Sequence, residues 1–169
     1  MHAVSRWILA ALGLAVLGAG CSRHKEITSL QRKEAASLVS EAQFAVTLRD
    51  YARAEPLLAK AVALCPDTSD YFLSLGTVRR QMDNRAGAKQ AYEQALDLCR
   101  DAYRRDGKNT QPLLQQIYVL ALLGRMDDAR DALAKAQKDH PDDATVRGII
   151  ESKQLDRLAD DPGFKEKAL

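Results

Sequence analysis

The chain has 169 residues, 46% of them hydrophobic and 28% charged, with a formal net charge of +2. That composition excludes disorder as the main state, and so small a charge excludes the electrostatic footprint of a nucleic-acid binder. Alanine occurs 27 times and leucine 23 times, against 9 glycines and 5 prolines. Ala and Leu are strong helix formers, so the chain is expected to be all-α.

The N-terminus reads as a targeting segment. His2 and Arg6 make a weakly basic start, and Trp7 to Ala19 is an uncharged, mostly apolar run. A bilayer-spanning helix needs about 20 such residues, whereas a run of this length fits the apolar region of a secretory signal. It ends in Gly18-Ala19-Gly20 and then Cys21. Small residues before a single Cys resemble a bacterial lipobox, although Gly18 stands where leucine is usual and Leu17 lies one place earlier. The resemblance implies removal of residues 1–20, acyl chains on Cys21, and an outer-membrane address because Ser22 follows the Cys. Several acyl chains on one residue give stable anchoring. The alternative is an ordinary secretory signal with an incidental Cys.

Residues 21–28 form a short tether. Thr28-Ser29-Leu30-Gln31 has the spacing of a capping box, so a first helix is expected from about Ser29 to Leu48. Three stretches then align without a gap. Asp50 to Pro66 carries Ala54, Leu58 and Ala61, Asn84 to Arg100 carries Ala88, Tyr92 and Ala95, and Arg125 to Pro141 carries Ala129, Leu133 and Ala136. The spacing is one face of an α-helix, and alanine lets a neighbouring helix approach closely. Further helical stretches precede the second and third copies, with Phe72, Leu75, Gly76 and Val78 in one and Leu113, Ile117 and Leu120 in the other.

This pattern resembles the tetratricopeptide repeat, with its period of 34 residues. The match is fullest at Leu75-Gly76, Ala88, Tyr92 and Ala95. It departs at Ile117, which stands in a small-residue place and implies looser packing there. The resemblance implies a right-handed solenoid of helical hairpins, with repeats at about 35–68, 69–109 and 110–143 inside a segment 29–141. Residues 142–169 are then a C-terminal capping helix and tail. Ala54 to Ala88 is 34 residues, but Ala88 to Ala129 is 41. The seven extra residues are placed in a longer second helix of repeat two, Arg85 to Asp106, with Gly107 as its stop and Pro112 opening the next helix. Past Pro141 a helix is expected around Ala144–Gln154, with Leu155–Ala159 continuing or re-entering helix. Asp161-Pro162-Gly163-Phe164 reads as a turn whose Phe164 folds back on the cap.

Catalytic and metal-binding patterns are missing. His24 and His140 have no Cys or His at ligand spacing and read as solvated side chains. There is no Gly-rich phosphate loop or nucleophile elbow, so neither an enzyme nor a small-molecule substrate is expected. Cys65 and Cys99 hold the same place one repeat apart. Stacked equivalents lie about 8–10 Å apart, beyond the reach of about 7 Å for a disulfide. Two buried free thiols are expected.

The stretch Pro112–Leu123 is apolar nearly all round, more than a two-layer repeat requires. Leu114, Tyr118 and Leu122 form a stripe beside its core face. In the family that this chain resembles, the first helix of each repeat lines a concave groove, which implies Val39, Gln43, Val46, Leu73, Thr77, Arg80, Leu114, Tyr118 and Ala121, with Leu122 at its margin. Two readings of the stripe stand. It receives a peptide or amphipathic helix, or the C-terminal cap or the N-terminal helix covers it. The gripping Lys and Asn of chaperone-tail binders have no counterpart at these places. The sequence thus points to a membrane-anchored, periplasm-facing adaptor for protein or peptide partners, with no cofactor beyond the acyl chains. A constitutive structural subunit of an envelope assembly machine, of the pilus or outer-membrane assembly type, is the alternative.

Overall fold

In the computed structural model, residues 26–169 are described. The expected signal peptide, Cys21 and most of the tether lie outside them. The described chain is helical throughout: α1 Ser29–Thr47, α2 Tyr51–Leu64, α3 Ser69–Gln81, α4 Arg85–Arg105, α5 Gln111–Leu122, α6 Met126–Asp139, α7 Ala144–Glu151, α8 Gln154–Asp160 and α9 Pro162–Lys165. The first six pack as three successive hairpins, α1 on α2, α3 on α4 and α5 on α6. No described helix is long and apolar enough to cross a membrane.

Local signals set the helix starts. Thr28 and Gln31 exchange both bonds of the capping box that opens α1. Asp50 and Asn84 accept backbone N–H bonds at the starts of α2 and α4. Arg125, at the same place before α6, accepts no such bond, and its Nε donates instead to Asp128 Oδ2 at 2.6 Å. The residue before each of these caps is left-handed: Arg49 and Asp83 at φ 57°, and Gly124 at φ 72°. Their spacings are 34 and 41, so one turn geometry recurs in every hairpin. Only the third copy uses glycine, which adopts it without strain.

Alanine packing holds the hairpins together. Ala35, Ala42, Ala54 and Ala61 are fully buried between α1 and α2. In the second hairpin Tyr92 covers Gly76 so closely that a β-carbon there would overlap its ring. Ile117, buried at 5% exposure, fills the equivalent place in α5. The backbones of α5 and α6 approach one another less extensively than those of the other two hairpins.

The added length lies where the period breaks. Helix α4 runs to Arg105 and is capped at Asp106. Gly107 is in a turn without positive φ, so the expected left-handed glycine stop is not how α4 ends. The extra turns carry Tyr103, whose Oη lies 2.8 Å from His140 Nε2, with the two rings edge to face at 6.0 Å. Beside it, Thr110 Oγ1 donates to Asp143 Oδ2 at 2.8 Å. Asp143 caps α7 through the N–H groups of Thr145 and Val146. The Val146 N–H, then Thr110, hold its carboxyl below the usual range. His140 is therefore a half-buried partner of Tyr103 rather than the solvated side chain expected.

The C-terminal residues cover part of the α5 stripe, one of the two readings left open above, but Phe164 reaches past the cap helices to Tyr118 on α5. Left-handed Lys153 separates α7 from α8. Asp161 caps the four-residue α9, and the chain then crosses back to α3 and α5. Two apolar clusters result. One gathers α1, α2 and the outer side of α3 around Leu58 and Val78. The other gathers α4 to α9 around Tyr92, Val119 and Phe164.

Candidate peptide-binding groove

Side chains expected along the groove fall into three groups. Gln43 is exposed, and Val46, Leu73, Thr77, Arg80 and Leu114 are half-buried. Tyr118 is 37% exposed. Val39, Ala121 and Leu122 are buried, the last two at 1% exposure each. Val39, Ala121 and Leu122 are thus not open to a partner in this structure, which corrects their assignment to an accessible groove.

Part of the cover comes from the chain itself. Phe164, 6% exposed, meets Tyr118 edge to face with ring centroids 6.0 Å apart. Arg80 Nε donates to the Ala168 carbonyl at 2.7 Å. Tyr92 Oη donates to the Lys167 carbonyl at 2.8 Å and sits 3.4 Å from Thr77 Oγ1. Leu169 N–H donates to the Leu122 carbonyl at 2.9 Å. Tyr92 comes from α4, but its hydroxyl emerges between Thr77 and the tail. Burial pushes its pKa up, so it stays a neutral donor at physiological pH.

The covering segment therefore brings Thr77, Arg80, Tyr118 and Leu122 to one place. These are four of the ten positions implied by the family resemblance. Tyr92 joins them, a residue that the sequence reading placed only in the helix core. Its hydroxyl was the available signal, because a buried Tyr needs a partner for it.

Next to the tail, a shallow depression remains between α3 and α5, lined by Asp70, Leu73, Pro112, Gln115 and Tyr118. Gln115 fixes its floor. Its Oε1 accepts from Ser69 Oγ at 3.0 Å and from Cys99 Sγ at 3.2 Å, and its Nε2 donates to Asp70. Cys99 and Cys65 are both free and buried. Cys65 Sγ points at the Gln31 carbonyl, 3.8 Å away. Burial raises both thiol pKa values, so neither is primed as a nucleophile.

A second surface escaped the sequence reading. Leu30 and Phe44 on α1, and Leu48 at its C-cap, are 72%, 60% and 62% exposed. Phe44 corresponds by repeat spacing to Val78 and Val119, which are 2% and 0% exposed. Val78 lies in the cluster shared with α1 and α2, Val119 lies in the cluster that α4 shares with the later helices, and no described hairpin precedes α1.

Comparison with known proteins agrees with the repeat. Residues 87–151 match one family model described as tetratricopeptide repeat, and residues 69–101 match a second of the same description. A stretch of 78 residues, 46% of this chain, is 37% identical to the peptidyl-prolyl cis-trans isomerase FKBP42 of Arabidopsis thaliana, where it spans 19% of the length. The chain thus corresponds to about a fifth of that relative. Among solved structures, the Arabidopsis OM64 TPR domain aligns with a TM-score of 0.43 at 16% identity, covering 75% of this chain and 98% of that one. Three helical hairpins, a shared left-handed turn, the alanine pattern and two family matches meet in one conclusion: the chain carries tetratricopeptide repeats, matched by family models over residues 69–151.

Proposed function

We propose that this chain is a lipid-anchored interaction adaptor of a bacterial cell envelope, tethered to the outer membrane through Cys21 and facing the periplasm. Tetratricopeptide repeats are generally non-enzymatic modules that bind protein or peptide partners. The observation that carries the adaptor reading is the face shared by α3 and α5. There Arg80 and the Tyr92 hydroxyl donate to the main chain of a bound segment, and Tyr118 offers a half-open aromatic edge. Such a face suits a peptide better than a small molecule, because it reads backbone along several residues.

The anchor reading rests on the apolar run Trp7–Ala19 and on Cys21. Replacing Cys21 with Ala should release the protein from the membrane fraction or block its processing. Unchanged membrane retention with normal processing would sink the anchor. The adaptor reading is tested by purification from native membranes followed by mass spectrometry, which should recover a reproducible protein partner. The structural-subunit alternative draws on the uncovered Leu30, Phe44 and Leu48 of α1 and its C-cap. It predicts a stoichiometric complex that survives high salt, where an adaptor gives substoichiometric partners.

A further inference from the structure

We propose that residues 162–169 are a resident, displaceable ligand of the α3–α5 face, and that the face takes in trans a peptide of the same chemistry. That chemistry is one aromatic side chain on a short helical turn, followed by a stretch whose last three residues are read through their main chain. The proposal deepens the adaptor reading and rests on it.

The tail is held as a ligand is held. Of residues 161–169 only Phe164 is buried; Ala168 and Leu169 are half-buried and the other six are exposed. Ala168 and Leu169 rest half-buried against the core, so the segment is held by one buried anchor and two half-buried residues, with six side chains outside the core. Past Phe164, the protein addresses the main chain. Arg80 and Tyr92 donate to consecutive carbonyls, those of Ala168 and Lys167, and the Leu122 carbonyl accepts from Leu169 N–H. None of these bonds depends on the identity of the side chains at 167–169, so another peptide can satisfy all three.

The receiving side is also built to be vacated. Tyr118 keeps 37% of its surface exposed with Phe164 seated. The Arg80 guanidinium has Asp83 at 4.0 Å as a second neighbour. The Tyr92 hydroxyl keeps Thr77 at 3.4 Å. The Leu122 carbonyl lies in the last turn of α5, where water can reach a helix end. Departure of the tail therefore leaves no polar group both buried and unpartnered, the condition that would lock a segment in place. A depression lined by Arg80, Gln81, Asp83, Pro162, Lys165 and Glu166 already separates the outer edge of α9 from α3. An incoming peptide can begin its exchange there.

The test uses the full chain and a fluorescein-labelled synthetic peptide of residues 160–169 with an amidated end, read by anisotropy. Phe164→Ala, which loosens the resident tail, should bind the probe at least tenfold more tightly than the wild type. Adding Arg80→Ala to Phe164→Ala should weaken binding at least tenfold, and a probe carrying Ala in place of its Phe should not bind. Equal affinity of wild type and Phe164→Ala, or no binding to a Phe164→Ala protein that retains its helical circular dichroism, overturns the proposal. If Phe164→Ala fails to fold, amide hydrogen exchange of the wild type decides. The Leu169 amide should exchange at least a hundredfold faster than that of Val119, and equal protection means a fixed cap. Partner recovery from native membranes alongside a silent probe removes the displaceable tail and leaves the adaptor standing.

Discussion

At the C-terminal end of the stack, Val146, Leu155 and Phe164 are buried as α7 to α9 close over the third hairpin. At the N-terminal end, Phe44 and Leu48 point outward from α1 and its C-cap at 60% and 62% exposure. The contrast does not come from local sequence, since Phe44, Val78 and Val119 occupy the same place in their repeats. It comes from whether another layer is present. In a linear array each layer is finished by its neighbour, so an apolar residue at an end is exposed until something docks there. The two ends thus carry different tasks: one has its cover within the described chain, and the other presents an apolar face among the described residues.

Substitutions can break this contrast. The largest effect belongs to Tyr92, fully buried beneath the tail. Tyr92→Ala should cost about 3–5 kcal/mol in urea unfolding, as large aromatic deletions from a core do. Phe164→Ala should cost less than that range, because a tail that opens locally limits how much its anchor can contribute to global stability. Equal losses at the two sites would mean that the C-terminal end is ordinary core.

The shared hairpin turn gives an intermediate test. Gly124→Ala forces a side chain into a left-handed position and should destabilise by about 1 kcal/mol. Arg49→Gly, at the same turn near the open end, relieves such strain. Against the entropy cost of glycine it should leave a gain of about 0.5 kcal/mol. Thermal unfolding of both variants checks the signs. Smallest of all, Phe44→Ser should change stability by no more than about 0.5 kcal/mol. A substantial loss there would show that the α1 face is covered after all.

Much of this architecture could be read before any coordinates. The capping box at Thr28 and Gln31 placed the start of α1. The 34- and 41-residue spacings placed the extra turns in α4. The apolar run of α5 was a correct sign of burial, and its cause was harder to read. Its spare stripe had two readings, an open groove by resemblance or cover by the C-terminal cap, and the second describes Leu122, which is buried with the tail seated against it. Asp161 to Phe164 signals a local turn, but nothing in four residues says that Phe164 will reach Tyr118, far earlier in the chain. The left-handed turns were hidden for another reason: Arg49 does not advertise positive φ, Asp83 does so only weakly, and Gly124 alone does so plainly. Tyr103 and His140 looked unrelated because the period break that joins them had to be built before they could meet.

The tail's return to α3 changes how the whole array should come apart. Tandem repeats ordinarily unzip from their ends, one layer at a time, because each layer touches only the next. Here the Arg80 to Ala168 bond joins residues 88 apart in sequence. It ties the last segment to the middle hairpin and bypasses the third. The third hairpin, whose helices approach one another less extensively than those of the other two, is thereby enclosed between two points of attachment. With the tail seated, it cannot fray alone from the C-terminal end, and the second and third hairpins should melt as one cooperative unit. Once the tail is displaced, the same hairpin becomes a free end. Occupancy of one short segment would then be visible as a change in folding cooperativity, from a single sharp transition to a broad, stepwise one.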